Sequence, residues 1–148
     1  MHSVLGGCVL IIQKQMNIEF AGQQVTGCHM AQRVIHDQMV DLDHEEVWII
    51  HLTGANTVIS TEMISRGTLN QTSIDCRTVL RAALLQNAAA IIIAHNHPSG
   101  IPLPGWADIQ FTGELKAACS LMDIRLLDHI IIAKDSFYSF AQEQTIKY

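Results

Sequence analysis

Ala88-Ala89-Ala90-Ile91-Ile92-Ile93-Ala94-His95-Asn96-His97-Pro98-Ser99-Gly100 is the stretch that decides the fold. Its first seven residues form an almost unbroken apolar run, which suits a central strand buried on both faces. The run ends at His95, where a Pro/Gly-rich loop takes over. Downstream, the pattern predicts a helix from about Trp106 to Leu121. A second buried strand lies within Ile124–Ala133, and a short final one spans Phe137–Phe140. Upstream, Asp75 is a good N-cap for a helix over Arg77–Gln86. Strands are predicted at Val47–Leu52 and around Thr57–Ile64, joined by the turn signal Thr53-Gly54-Ala55-Asn56. Met30, Ala31, Val34, Ile35 and Met39 recur at helical spacing from Cys28 to about Val40, with Thr26 as a plausible N-cap. Strands alternating with helices place the chain in the α/β or α+β class, with a mixed sheet between helices.

The chain has 148 residues, 49% hydrophobic and 16% charged. That length suits one domain with a real core, and the apolar fraction excludes a wholly disordered chain. No apolar run is long enough to span a bilayer, so no membrane role is expected. The formal net charge of −5 argues against a bare electrostatic nucleic-acid binder. Cys8, Cys28, Cys76 and Cys119 form no CxxC pair. With no clear secretory signal, they are expected to be reduced and mostly buried in a cytoplasmic protein. Residues 1–24 differ in texture and are taken as a variable N-terminal segment ahead of a single domain over 25–148. Within that segment, Val4–Ile12 is a strand or a frayed arm. It could pair with another chain's sheet edge, which would make a homo-oligomer.

Eight histidines nearly match the nine lysines and arginines, and two of them carry the densest chemical signal. His95 and His97 sit at i and i+2 where a strand runs out, so both imidazoles project to one side. Asp108, in the first turn of the next helix, can return as a third ligand. Two imidazoles and a carboxylate suit zinc with a fourth position for water, whose pKa the metal would lower. A general base from elsewhere in the chain is still required. A histidine pair in a loop is more often plain polarity, and an aspartate at a helix start usually serves the helix dipole. It is the full arrangement of strand end, HxHP, Pro-rich loop and helix-start aspartate that points to a metal.

These residues resemble the JAMM (JAB/MPN) metalloprotease motif, and the details are similar to its bacterial RadC branch. The matching segments are Arg66-Gly67-Thr68-Leu69-Asn70, Asn87-Ala88-Ala89-Ala90, His95–Gly100, Asp108 with Thr112, and Leu127-Asp128-His129-Ile130-Ile131. The resemblance runs from about Val25 to the C-terminus. No counterpart of the helix-hairpin-helix region common in full-length RadC proteins is evident. It implies a JAMM/cytidine-deaminase-like mixed sheet flanked by helices, with His95, His97 and Asp108 as zinc ligands. It also implies a water-activating glutamate at the start of an upstream strand. Glu45 and Glu46 both precede Val47, and laying the strands side by side favours Glu45. Adjacent strand residues face opposite ways, so only one of them points at a metal.

The chain departs from the family at one chemically important position. JAMM enzymes usually carry a serine three residues before the aspartate, where its hydroxyl helps stabilise the oxyanion; here that position is Gly105. Glycine is a tolerable N-cap, but loss of one oxyanion donor typically costs about a hundred- to a thousand-fold in rate. Ser99 belongs to the substrate-side HPSG loop and is not expected to substitute. His129 is expected to be a hydrogen-bonded core residue rather than a fourth ligand, and Cys76 a small buried thiol. The expected function is cleavage of an amide or isopeptide bond in a peptide or protein substrate by metal-activated water. The alternative is a weak or inactive JAMM-fold interaction module linked to DNA repair or mobile-element biology. Direct DNA binding is disfavoured by the acidic charge. A nucleobase deaminase is set aside, because the glutamate beside the first ligand and the Pro-Cys-x-x-Cys segment are both missing.

Overall fold

The structure is a computed structural model and describes residues 16–67 and 75–148. Seven strands form one mixed sheet in the order β1-β3-β2-β4-β5-β6-β7. They are β1 (Met16–Asn17), β2 (Glu46–Leu52), β3 (Val58–Arg66), β4 (Ala90–Asn96), β5 (Arg125–Ile132), β6 (Ser136–Ser139) and β7 (Gln144–Lys147). All neighbours pair antiparallel except β4 and β5, which are parallel. Three helices cover the sheet: α1 (Cys28–Met39), α2 (Cys76–Leu85) and α3 (Trp106–Leu121). The result is the expected mixed α/β arrangement.

Alternation along the strands divides the core into two layers. Trp48, Ile50 and Leu52 of β2 and Ile92 and Ala94 of β4 face α1, where they meet Ala31, Val34, Ile35 and Met39. Val47 and Ile49 of β2 and Ile91 and Ile93 of β4 face the other way. They pack on Val79, Ala82 and Ala83 of α2 and on Phe111, Leu115 and Cys119 of α3. A strand covered on both faces has no polar side to present, which is why 88–94 lacks alternation. The α2 and α3 helices each end in a Schellman motif. Asn87 and Asp123 take the left-handed conformation (φ 54° and 55°). The amides of Ala88 and Ile124 return to the carbonyls of Ala83 and Cys119. Each helix thereby stops just short of the strand it feeds, β4 or β5.

Several local expectations change. Thr26 is not the cap of α1. Gly27 holds that position in extended backbone with no side-chain cap, and Thr26 lies one residue too early. Asp75 caps α2 as expected, accepting from the Thr78 amide at 2.8 Å. The last strand is β7, not the segment around Phe137–Phe140. Most of β7 is exposed, so its sequence carries no apolar alternation to betray it. Cys119 is buried, and burial pushes its thiol up to about 11. Cys28 and Cys76 are only half-buried, and none of the three is in a disulfide. Val4–Ile12, Thr68-Leu69-Asn70 and Cys8 lie outside the described residues. Among those described, no helix is long and apolar enough to cross a membrane.

Leu115 is 1% exposed at the centre of the α3–sheet contact. Leu115→Ala is expected to destabilise the fold by about 2–5 kcal/mol in urea denaturation. A loss below about 1 kcal/mol, the range of ordinary surface changes, would contradict that packing.

Candidate metal centre

The β4 strand delivers its last residues to opposite sides. His95 continues the row of Ile91 and Ile93 toward α3, and Asn96 turns to the α1 side. His97 lies just past the strand, its amide still bonded to the Ile132 carbonyl at 2.9 Å, so its ring returns to the side of His95. Asp108 occupies the third position of α3. Its Oδ2 accepts from the Gly105 amide at 2.7 Å, the backward half of a capping box.

Among the described residues, His95, His97 and Asp108 form the group whose ligand atoms converge, all within 4.8 Å of one another. The His95 and His97 Nε2 atoms are 3.0 Å apart. Asp108 Oδ1 lies 3.2 Å from His95 Nε2, and Oδ2 3.6 Å from His97 Nε2. Tetrahedral zinc, with bonds of about 2.0–2.1 Å, separates its ligand atoms by roughly 3.3 Å, so the spacing suits such an ion. The tautomers suit it too. A backbone carbonyl can only accept, so the bond between His97 Nδ1 and the Ile101 carbonyl (2.9 Å) puts the ring proton on Nδ1. The Nε2 lone pair of His97 then faces His95 Nε2, and two ring nitrogens at that distance need a proton or a cation between them.

The electrostatics agree. Burial would raise the Asp108 carboxyl, but the adjoining His95 and His97 rings and the Gly105 amide outweigh it and hold it far below the usual range. Burial likewise lowers His97. The Asp108 carboxylate and the Ile101 carbonyl overcome that, with a smaller pull from Glu45, and raise it above an ordinary histidine. The pocket therefore carries a fixed negative charge and attracts positive charge to the imidazole edge.

His129 is buried and is not aimed at this point. Its Nε2 meets His95 Nδ1 at 2.7 Å, its Nδ1 meets Thr112 Oγ1, and its ring stacks on Phe140. Burial and the neighbouring His95 push it well below the usual histidine value, so it stays neutral. This is the hydrogen-bonded core role expected of it.

The two glutamates separate by side. Glu46 is 5% exposed and faces away. Its carboxylate accepts from Trp48 Nε1 at 2.9 Å, and His44 and Arg66 lie beside it at 2.6 and 3.6 Å. Glu45 lies just ahead of β2, two residues before Val47, which pairs with His95, and its charge reaches His97. The backbone from His44 to Glu46 is held at three points. The Glu45 carbonyl accepts from the Gly67 amide. Asn96 accepts from the Glu46 amide and donates to the His44 carbonyl, both at 2.8 Å. Sequence reasoning missed this role for Asn96. The available signal was an amide side chain at the end of an apolar strand, where an unpaired polar group is costly.

Gly105 caps α3 with φ −85°, and a Cβ there would lie 3.6 Å from Asp108 Oδ2, an ordinary contact. Ser99 is exposed, and its Oγ accepts a long 3.4 Å bond from the Ile101 amide, tying its own loop. The exposed apolar side chains Ile101, Leu103 and Trp106 follow in the same loop and at the start of α3. The sequence reading had not singled them out.

A model of the RadC-like JAB domain family matches residues 25–145. A UPF0758 protein of Porphyromonas gingivalis is 42% identical over 122 residues, covering 82% of this chain and 54% of that protein. One from Haemophilus ducreyi is 37% identical over 137 residues, covering 88% and 61%. One from Leptothrix cholodnii is 47% identical over 105 residues, covering 71% and 47%. The chain thus spans about half the length of the curated relatives it matches. With the mixed sheet, the His95–His97–Asp108 cluster and these matches in agreement, the chain belongs to the RadC-like JAB domain family.

Proposed function

We propose that this chain is a zinc-dependent hydrolase of amide or isopeptide bonds in a peptide or protein. The observation that carries the reading is the convergence of His95 Nε2, His97 Nε2 and the Asp108 carboxylate on one point. Held by these three groups, zinc supplies Lewis acidity, activating water and polarising a substrate carbonyl. Asp108 contributes a carboxylate, and the two histidines contribute ring nitrogens. Glu45 takes the proton released by the attacking water and passes it to the departing amine, restoring its carboxylate. Its place two residues ahead of Val47, the partner of His95, and its effect on His97 support that role. Glu46 is committed to Trp48 and His44 on the far side. The exposed apolar side chains Ile101, Leu103 and Trp106, in the segment between His97 and Asp108, suit an apolar stretch of polypeptide beside the scissile bond.

One feature favours a second reading, an interaction module that keeps the metal but cleaves poorly. The backbone at Gly105 has room for a serine beside the Asp108 carboxylate, yet the hydroxyl that would support the oxyanion is missing.

Protein purified without added metal is expected to hold about one zinc per chain by elemental analysis, the stoichiometry of a single-ion site. The His95→Ala/His97→Ala double variant is expected to hold none. Zinc content indifferent to those changes would remove the hydrolase reading. Glu45→Gln should keep the metal and lose about a hundredfold or more in peptide turnover, whereas Glu46→Gln should keep most of it. Equal losses would contradict the assignment of the base. Gly105→Ser should fold normally and raise turnover by about a hundred- to a thousand-fold. Cleavage confined to that variant would favour the interaction module.

A further inference from the structure

We propose that His129 and Thr112 are positioning residues that lock His95 in the tautomer whose Nε2 lone pair faces the metal. This rests on the metal-site reading above. The direction of every proton follows from one end of the chain of bonds. Thr112 Oγ1 lies 2.6 Å from the Asp108 main-chain carbonyl, which can only accept, so the hydroxyl proton goes there. Thr112 Oγ1 must then accept from His129 Nδ1–H. Among the described residues no carboxylate bonds to the His129 ring, so the ring carries one proton; with that proton on Nδ1, its Nε2 lone pair accepts from His95 Nδ1–H at 2.7 Å. His95 is left with its lone pair on Nε2, aimed at His97 and Asp108.

The relay starts at the main chain of one metal ligand and ends on the ring of another. Each of its two intermediate groups donates once and accepts once. His129 is buried and stacked on Phe140, so its ring has no freedom to turn. The α3 helix, which carries both Asp108 and Thr112, thus sets the orientation of a ligand on β4. Partners of this kind raise ligand basicity and hold ring orientation, and their loss typically costs about 10–100-fold in metal affinity.

The test is zinc affinity by chelator competition, with cobalt spectra and the 15N imidazole shifts of His95 as second readouts. His129→Leu removes both ring partners and should weaken zinc binding about 10–100-fold. His129→Gln can accept from His95 through its carbonyl and donate to Thr112 through its amide, so it should recover most of that loss. Thr112→Val, on a helix face that stays packed, should weaken binding less than His129→Leu. It should also let the His95 proton redistribute between the two ring nitrogens. The inference is overturned if His129→Leu melts at a lower temperature yet binds zinc as tightly as the natural chain. It is equally overturned if Gln rescues no better than Leu. Should His129→Leu fail to fold, unchanged affinity in Thr112→Val overturns it instead. A natural chain that binds no zinc sinks both this inference and the hydrolase proposal. Weakened zinc binding in the variants, with no hydrolysis by any protein, sinks only the hydrolase.

Discussion

The pairing register of β4 is the constraint on which the rest depends. Antiparallel β2 places Val47 against His95, and parallel β5 places Ile131 against the same residue. Because side chains alternate with a period of two, a slip of one residue would exchange the contents of the two faces. The isoleucines would lose their matched neighbours, His95 would point at α1, and Asn96 would point at α3. Both faces of β4 are buried, so the register is held by packing on each side. The chemistry at its end inherits that precision without further cost.

The register also explains the division of labour in His95-Asn96-His97. The two histidines form one side of the site, and the residue between them faces the other way into a different task. Asn96 satisfies a donor and an acceptor on either side of Glu45, groups that would be expensive to leave unpaired in a buried setting. Strand β2 is thereby anchored at the level of His95 and His97. Asp108 approaches from the opposite direction on α3, seated against the sheet by Phe111 and Leu115. Three elements far apart in sequence meet at one point because each is fixed by its own apolar contacts.

Much of this was legible in the sequence, and the parts that were not have physical reasons. The central strand and α3 announce themselves by long apolar or periodic runs, and His95, His97 and Asp108 by spacing across a strand end. Hydrophobic pattern reports burial, so it says nothing of β7, whose residues are exposed. It places the start of α1 at Cys28, as found, but not the cap, because Thr26 and Gly27 are both acceptable caps locally and Gly27 holds the position. Alternation restricted the choice to one of Glu45 and Glu46, but only the side occupied by Trp48 and His44 separates them. The Thr112–His129 link was invisible because it joins helix and strand through tertiary contact alone.

Asp108 has two duties, which has a consequence for dissecting this site genetically. Its carboxylate closes the first turn of α3 through the Gly105 amide and also faces the two histidines. Any substitution there removes a helix-start partner together with the carboxylate that faces the histidines, so effects on folding and on the site arrive as one phenotype. Gly105 is the opposite case. It lies beside the same carboxylate, has an ordinary backbone conformation and meets only van der Waals contact at an added Cβ. The neighbouring positions thus differ in separability. At one, fold and function share a single side chain; at the other, function alone can be varied over an unchanged scaffold.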